Sequence, residues 1–369
     1  MSQVSHPTAD GEASKLTLPS VTVEAPARAA CAAGLRYVSD DSPGLGRRRW
    51  GRGFSYLDEA GDRITNRSEL KRLKALAIPP AWEDVWICPF PNGHLLATGR
   101  DAKGRKQYRY HPDWRKVRNR TKFDRLIPFA YARSMIREVT DRHLRQRTLS
   151  REKLLAIVVR LLDATVIRIG NDEYREQNQS FGLTTLQERH VEVEATTIYF
   201  HFMGKSGVEH EIELSDRRLA RAVKRCQELP GQQLFQYVDE EGQRHAIDSS
   251  DVNDYLQVIT KEDFTSKDFR TWAGTAYTAQ ILNDLGEPSS TAQAQANIRE
   301  AIKGAAQHLG NRVATCRSFY VHPTVTQAYE AGWLLEAWQK GAESVSKWDL
   351  TTDEKALVAV LNHPRKCNG

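Results

Sequence analysis

The sequence predicts an α+β protein, with a small β-rich N-terminal domain before a larger, mainly α-helical domain that carries a small antiparallel sheet. Three observations predict it. Between about residues 34 and 118 the apolar pattern comes in short alternating segments broken by turn residues. From about Asn119 the segments lengthen and take the helical period of about 3.6 residues. Between Val191 and Leu214 three short alternating runs interrupt those helices. The 369 residues suffice for one large and one small core. The predicted organisation is a disordered leader over 1–33, a β-rich domain over 34–118, a helical domain over 119–345, and a C-terminal tail with a short helix over 346–369.

Each element has its own signal. The leader is rich in Ala, Pro, Ser and Thr and shows no sustained period. Phe54 to Leu57, the turn Asp58-Glu59-Ala60-Gly61, and Asp62 to Thr65 read as a first hairpin. Leu95 to Gly99, the turn Asp101-Ala102-Lys103-Gly104, and Lys106 to His111 read as a second. In its last strand the period of two puts Lys106, Tyr108 and Tyr110 on one face and Gln107, Arg109 and His111 on the other. With no apolar face, that strand should leave one side open to a partner.

Phe123 to Leu144 is amphipathic, and Arg151 to Ile167 holds the apolar run Leu154 to Val159, which suits a buried helix. Gly170 is placed to end that helix, with Arg168 at its edge. Strands follow at Val191 to Glu194, Ile198 to Met203 and Val208 to Leu214, the last two joined by a hairpin tip, Gly204-Lys205-Ser206-Gly207. Helices resume at Ser215 to Leu229, Asp251 to Ile259, Ser266 to Leu285, Thr291 to Leu309 and Gln327 to Lys340. Thr351 and Glu354 form a capping-box start for a last helix that Pro364 ends.

Charge narrows the class of partner. Between Gly34 and Ser150, 26 Lys and Arg stand against 13 Asp and Glu, a surplus of 13, while the rest of the chain has an acidic excess of 7. Such asymmetry suits a polyanion-binding region, and the many arginines interleaved with aromatics suit phosphate. The five cysteines, Cys31, Cys88, Cys226, Cys316 and Cys367, lack paired spacing, so neither a disulfide framework nor a zinc knuckle is predicted. The sequence shows no apolar run of membrane-spanning length and no apolar signal core, so a soluble protein in the cytoplasm is expected.

An ordered set of Arg168, Lys205, Arg270, Asn311 and Tyr320 carries the chemistry. A tyrosine that attacks a phosphodiester must lose a proton, charge builds on the nonbridging oxygens, and the leaving ribose oxygen needs a proton. Two arginines can fork those oxygens and stay charged. Lysine, able to release a proton, makes Lys205 the candidate general acid, and Asn311 can donate an amide hydrogen bond. With cations built in, the expectation is no metal site, no ATP and no other cofactor.

Local context makes the set specific. Ser266-Lys267-Asp268-Phe269-Arg270-Thr271-Trp272 and Asn311, nine residues before Tyr320 in Arg317-Ser318-Phe319-Tyr320-Val321, resemble the type IB DNA topoisomerases, particularly the compact poxvirus-like and bacterial members. Arg168-Ile169-Gly170-Asn171, Tyr174, Phe181-Gly182-Leu183-Thr184-Thr185-Leu186 and Gly204-Lys205-Ser206 fit the same family, as does Gln107-Tyr108-x-Tyr110 in the small domain. The resemblance covers about residues 36 to 345.

It implies that Tyr320 is the nucleophile of a 3′-phosphotyrosyl intermediate, that Arg168 and Arg270 bind the scissile phosphate, and that Lys205, helped by Arg168, protonates the 5′-oxygen. Asn311 stands where many relatives carry histidine, which leaves it a hydrogen-bond donor only. Further DNA contacts are implied for Gln107 at a base edge, Tyr108 and Tyr110 at the backbone, Lys103 and Arg105 in the adjoining turn, and Tyr174 with Lys267 at phosphates. The implied architecture is a monomeric clamp in which the two domains close around duplex DNA.

Two other functions fit parts of the pattern. A tyrosine recombinase shares the chemistry, but usually has histidine where this chain has Lys267, and a β-rich N-terminal domain is not its habit. A noncatalytic DNA-binding protein would have no use for Tyr320. Gly204-Lys205-Ser206 echoes a P-loop, yet Tyr199 stands where that motif needs its first glycine. Asp239-Glu240-Glu241-Gly242 reads as a polar turn rather than a metal cluster, His308 as a surface or packing residue and Cys316 as a buried thiol.

Overall fold

The computed structural model describes residues 26–364 except 52, 103, 105, 240, 347 and 348, and the side chains of 26, 118–121, 173, 174 and 177 also lie outside the description. The chain divides into two compact units, one ending at Arg125 and the other beginning at Leu126.

The smaller unit contains α1 (Pro26–Ala32), β1 (Leu45–Trp50), β2 (Gly53–Leu57), α2 (Arg67–Ala75), β3 (Glu83–Ile87), β4 (Leu95–Arg100), β5 (Lys106–Tyr110) and α3 (Pro112–Asp124). Its strands form one antiparallel sheet in the order β2-β1-β3-β4-β5. Leu73 of α2 and Ile78 after it pack on Leu45, Tyr56, Ile87 and Ala97 of the sheet. Apolar burial of that kind is what makes a sheet of short strands stable.

The sheet corrects the first predicted hairpin. β2 pairs with β1, from Gly46↔Leu57 to Trp50↔Gly53, and the 62–65 segment contributes only the bridge Leu57↔Arg63. β1 carries Arg47, Arg48 and Arg49, and a run of charge hides a strand from an alternation test. Arg47 is not solvent-facing ornament: its guanidinium donates to the carbonyls of Ile78, Pro79 and Trp82 at 2.8–2.9 Å. Arg109 of β5 likewise donates to Leu76 and Ala77 at the end of α2. Part of the basic surplus thus serves this unit's own backbone.

The leader prediction also ran too far. Residues 26–32 are helical, and Ala29 and Ala30 bury against Leu35 and Trp114. Small side chains permit that close approach, and alanine favours the helix. At the other end, α3 extends the smaller unit to Arg125 rather than 118.

The larger unit runs through α4 (Leu126–Leu144), α5 (Arg151–Thr165), α6 (Asp172–Asn178), β6 (Val191–Glu194), β7 (Thr197–Met203), β8 (Glu209–Ser215), α7 (Arg217–Gln227), β9 (Gln236–Val238), β10 (Arg244–Ala246) and α8 (Ser249–Thr260). It continues through α9 (Ser266–Asp284), α10 (Thr291–His308), α11 (Val313–Phe319), α12 (Pro323–Glu330), α13 (Leu334–Ala342) and α14 (Thr352–Leu361). β6, β7 and β8 form a three-stranded antiparallel sheet, and β9 with β10 a hairpin around the Asp239 turn. Among the described residues no helix is long and apolar enough to cross a membrane.

The core centres on α5, whose Leu154 to Val159, Leu161 and Leu162 are fully buried. Ser150 caps its first turn by accepting from the Lys153 N–H at 3.2 Å. α9 starts on a capping box between Thr265 and Asp268 and buries Phe269 edge-on to Phe129 of α4, with ring centroids 5.0 Å apart. The single helix predicted near Phe123 is two. Pro128 would clash with the Asp124 carbonyl in a continuous helix, and instead sits in the first turn of α4, where a missing N–H costs nothing. The helix predicted over Gln327 to Lys340 is also two, divided at Gly332, whose φ of +73° no helix accommodates.

The C-terminal segment is not a tail. α14 buries Ala356, Leu357, Val360 and Leu361, and lies so close to α13 that a β-carbon at Gly341 would be 2.5 Å from that of Ala359. Buried Glu354 receives ion pairs from Arg133 at 2.5 Å and Arg137 at 2.8 Å, both on α4. Burial pushes the Glu354 carboxyl up, but the Arg137 hydrogen bond and the two guanidinium charges outweigh it and the pKa falls below its ordinary value. A depressed folded-state pKa means the stabilisation is complete above the unfolded carboxyl range, about pH 4–5, and is lost as pH falls through the folded value. Glu354→Gln keeps the shape and leaves two arginines under-compensated. It is expected to cost about 2–4 kcal/mol in urea unfolding at pH 7, with the gap to the parent closing in acid.

Candidate active site

Arg168 follows α5 on a segment whose shape is set by two backbone constraints. α5 ends at Val166, four residues before the predicted stop, in the left-handed region with φ 50°. A β-branched residue adopts this conformation only where tertiary contacts impose it, and here the Val166 carbonyl turns to accept from Arg270. Beyond it, the Leu183 and Thr184 N–H groups donate to the carbonyls of Arg168 and Ile169 at 2.8 and 2.7 Å. Gly170 has φ +108°, and a β-carbon at Gly182 would lie 2.5 Å from the Arg168 carbonyl oxygen and 2.6 Å from Gly170. The Phe181 to Leu186 segment therefore acts as a backbone clamp on Arg168.

Arg270, 5% exposed, lies in the second turn of α9. Its Nη1 donates to the Val166 carbonyl and its Nη2 to that of Leu309 at 2.6 Å. Arg168 Nη2 donates to the Gly310 carbonyl at 3.3 Å and to Asn311 Oδ1. That second bond orients the amide: Oδ1 faces the guanidinium, so Nδ2 is the donor left over. The turn closing α10 thus anchors both guanidinium groups.

Tyr320 caps α11, its N–H donating to the Cys316 carbonyl at 2.9 Å. One helical turn beyond Arg270, Gly274 permits the approach of α9: a β-carbon there would be 2.7 Å from the Tyr320 carbonyl oxygen. The fully buried Thr275 hydroxyl donates to that carbonyl at 3.1 Å and accepts from the His322 N–H at 3.1 Å. The Tyr320 ring comes 5.5 Å from the Arg270 guanidinium carbon, and the two side chains share a hydrogen bond. Arg168, Arg270, Asn311 and Tyr320 thus converge from four parts of the sequence.

The electrostatics are unusual for a resting protein. Burial, then the charge of Arg168, lowers the pKa of Arg270, and burial lowers that of Arg168. Starting from above about 12, both remain cations at neutral pH. Among the described residues no carboxylate pairs with either guanidinium, and their partners are main-chain carbonyls, one amide and the Tyr320 side chain. Arg270 Nε and Asn311 Nδ2 are buried donors without a hydrogen-bond partner. Unpaired buried donors and cations are costly, and they persist where a ligand supplies the missing acceptor.

Lys205 is exposed at the tip between β7 and β8, where Ser206 and Gly207 both have positive φ. Lys267 is exposed in the first turn of α9, three residues before Arg270 and so on the same side of the helix. The Tyr174 side chain lies outside the described residues, as do Lys103 and Arg105. In the smaller unit Tyr108 is 46% exposed and stacks on Tyr110 with centroids 5.8 Å apart, while the Gln107 amide donates to Asp101 at 3.0 Å. β5 is an edge strand, with one side of its backbone unpaired in the sheet.

Sequence reasoning missed Gly274 and Thr275, which carry no local signal, and the contact made by Gly182, whose segment stood out without its purpose; each matters because of what tertiary packing brings to it. His308 is exposed and stacks on Tyr277 with centroids 4.9 Å apart, a surface residue that packs on its neighbour. Burial pushes the Cys316 thiol up to about 11 against the pull of Arg270, so it stays protonated and inert. His201, Glu209 and Glu211 cluster on the exposed face of β7 and β8. His201 pairs with Glu209 at 2.8 Å, an ordinary cross-strand contact.

Comparison with known proteins extends this picture in two steps. The model of the eukaryotic DNA topoisomerase I catalytic core matches residues 111–340, well over half of the chain, which places it among the DNA topoisomerases. The model of the bacterial DNA topoisomerase IB N-terminal domain matches residues 53–101, within the five-stranded unit. The chain belongs to the type IB DNA topoisomerase family. It is 29% identical to the DNA topoisomerase 1B of Acanthamoeba polyphaga mimivirus over 296 residues, 78% of this chain and 88% of that protein. Against the DNA topoisomerase I of Monkeypox virus and the DNA topoisomerase 1B of Vaccinia virus (strain Copenhagen) it is 25% identical over 275 residues, 73% of this chain and 80% of each relative.

Proposed function

We propose that the chain relaxes supercoiled duplex DNA by transient cleavage of one strand at Tyr320. The observation that carries this reading is the pair of guanidinium groups beside Tyr320, Arg270 buried and Arg168 half-buried, neither with a carboxylate partner among the described residues, and with Arg270 Nε and Asn311 Nδ2 left unpartnered. A phosphodiester supplies the acceptors that such a pocket lacks. The Tyr320 oxygen attacks phosphorus, its proton passes to solvent, and the bond to the 5′-oxygen breaks as Lys205 protonates that oxygen. Arg168 and Arg270 donate to the nonbridging oxygens, Arg270 through Nε, Asn311 donates one more hydrogen bond, and charge built up in the transition state is met by cations already in place. The 3′-phosphotyrosyl bond keeps the energy of the broken link, so the 5′-hydroxyl reseals the strand by the reverse steps once the duplex has swivelled.

Gln107, Tyr108, Tyr110, Lys103, Arg105, Tyr174 and Lys267 serve as DNA contacts in this reading. A single chain suffices, because one strand is cut at a time, and the protein works in the cytoplasm on nucleoid DNA. Relaxation of a supercoiled plasmid in chelator without nucleotide is the deciding assay, with denaturant added to trap protein on the DNA 3′ end. Full activity with a trapped 3′ adduct is expected. Rates or binding should fall steeply between 50 and 200 mM salt, by roughly 10³-fold if about six phosphates are contacted. A strict metal or nucleotide requirement, or an adduct at the 5′ end, would overturn the proposal.

A further inference from the structure

His210, on β8, is five residues beyond Lys205 and on the opposite sheet face from His201, Glu209 and Glu211. Its ring stacks on Phe202 of β7, centroids 5.0 Å apart and planes at 16°. Two glycines meet its other edges. A β-carbon at Gly204 would lie 2.5 Å from His210 Cδ2, and one at Gly310 would lie 2.5 Å from Cε1. The ring is therefore wedged between the residue before Lys205 and the residue before Asn311. On one side, the Gly204 N–H closes the hairpin tip by donating to the Val208 carbonyl at 2.7 Å. On the other, the carbonyls of Gly310 and Leu309 hold Arg168 and Arg270.

We infer that His210 is a positioning residue that seats the Lys205 hairpin against the turn anchoring the two arginines, and so sets the reach of the lysine to the leaving oxygen. The inference rests on the reading of Lys205 as proton donor. A lysine at an exposed tip transfers a proton efficiently only if the base of its hairpin is fixed relative to the phosphate. The flat ring supplies that fixed spacing, because neither flanking glycine has a side chain to fill the gap. Burial and the charges of Arg168 and Arg270 hold the imidazole towards its neutral form, so it adds no third cation to the turn.

The test compares single-turnover cleavage of two DNA strands, one ordinary and one in which sulfur replaces the bridging 5′-oxygen. A thiolate leaves without a proton, so sulfur removes the need for a general acid. His210→Ala is expected to slow the oxygen strand by about 10²-fold and the sulfur strand by less than about threefold. Lys205→Ala should show the same pattern more strongly, and His210→Phe, which refills the wedge, should recover most of the rate. Equal slowing of both strands by His210→Ala, or no slowing at all, overturns the inference. If Lys205→Ala is itself slowed equally on both strands, the proton-donor reading falls and takes the inference with it. Rescue of Lys205→Ala but not His210→Ala sinks the inference alone. Should His210→Ala fail to fold, His210→Gln, which keeps the reach without the flat ring, serves in the same comparison.

Discussion

Tyr320→Phe is expected to bind duplex DNA within about threefold of the parent affinity while relaxation falls by at least about 10⁴-fold and no denaturant-trapped adduct forms. The reasoning is local. The carbonyl and β-carbon of Tyr320 pack against Gly274 and Thr275, and phenylalanine preserves every one of those contacts. Only the hydroxyl is lost, and with it a hydrogen bond to Arg270 worth about 1–2 kcal/mol of stability. Binding depends on phosphate contacts spread along the duplex, and the variant keeps all the cations. Supercoil relaxation by Tyr320→Phe would remove this tyrosine as the nucleophile and leave the pocket a binding site only.

Arg270→Lys should lower the cleavage rate by about 10²–10³-fold with little change in DNA affinity. Lysine keeps the positive charge but not the planar fork. The arginine uses Nη1 and Nη2 on the carbonyls of Val166 and Leu309, which in the proposed mechanism leaves Nε to address the phosphate. An ammonium group cannot satisfy two carbonyls and a third acceptor with that geometry. Urea unfolding is the control: a loss of about 1–3 kcal/mol is expected from the carbonyl left unpaired, small enough for the protein to remain folded. Parental cleavage rates in Arg270→Lys would mean that charge alone stabilises the transition state and that the fork is incidental.

The residues proposed for chemistry could be picked from the sequence because each sits in a distinctive short context, and the signals for α9, for β7 and β8 and for α14 were all local. What could not be read was set by contacts far along the chain. α5 stops at Val166 because its carbonyl is claimed by Arg270, 104 residues later. β1 escaped detection because Arg47 is a structural arginine bonded to three carbonyls around Pro79, although its sequence looks like a solvated charge run. The join between α3 and α4 was legible in principle, through Pro128. Ala29 and Ala30 look like disordered leader until Trp114 arrives to cover them. Among the site residues, Thr275 and His210 have ordinary neighbours in sequence and acquire meaning only from Tyr320 and Gly310.

The crossing of Gly170 and Gly182 has a bearing on how copies of such a gene decay. Neither glycine meets substrate in the mechanism proposed above, yet the space at Gly170 is filled by the Thr184 and Thr185 hydroxyls and that at Gly182 by main chain, including the carbonyl of Arg168 itself. A methyl group there would have to displace the arginine's backbone. A lineage released from selection could therefore keep every reacting side chain intact and still fall silent through one alanine, so an inspection confined to the five reactive positions would score a dead gene as a living one.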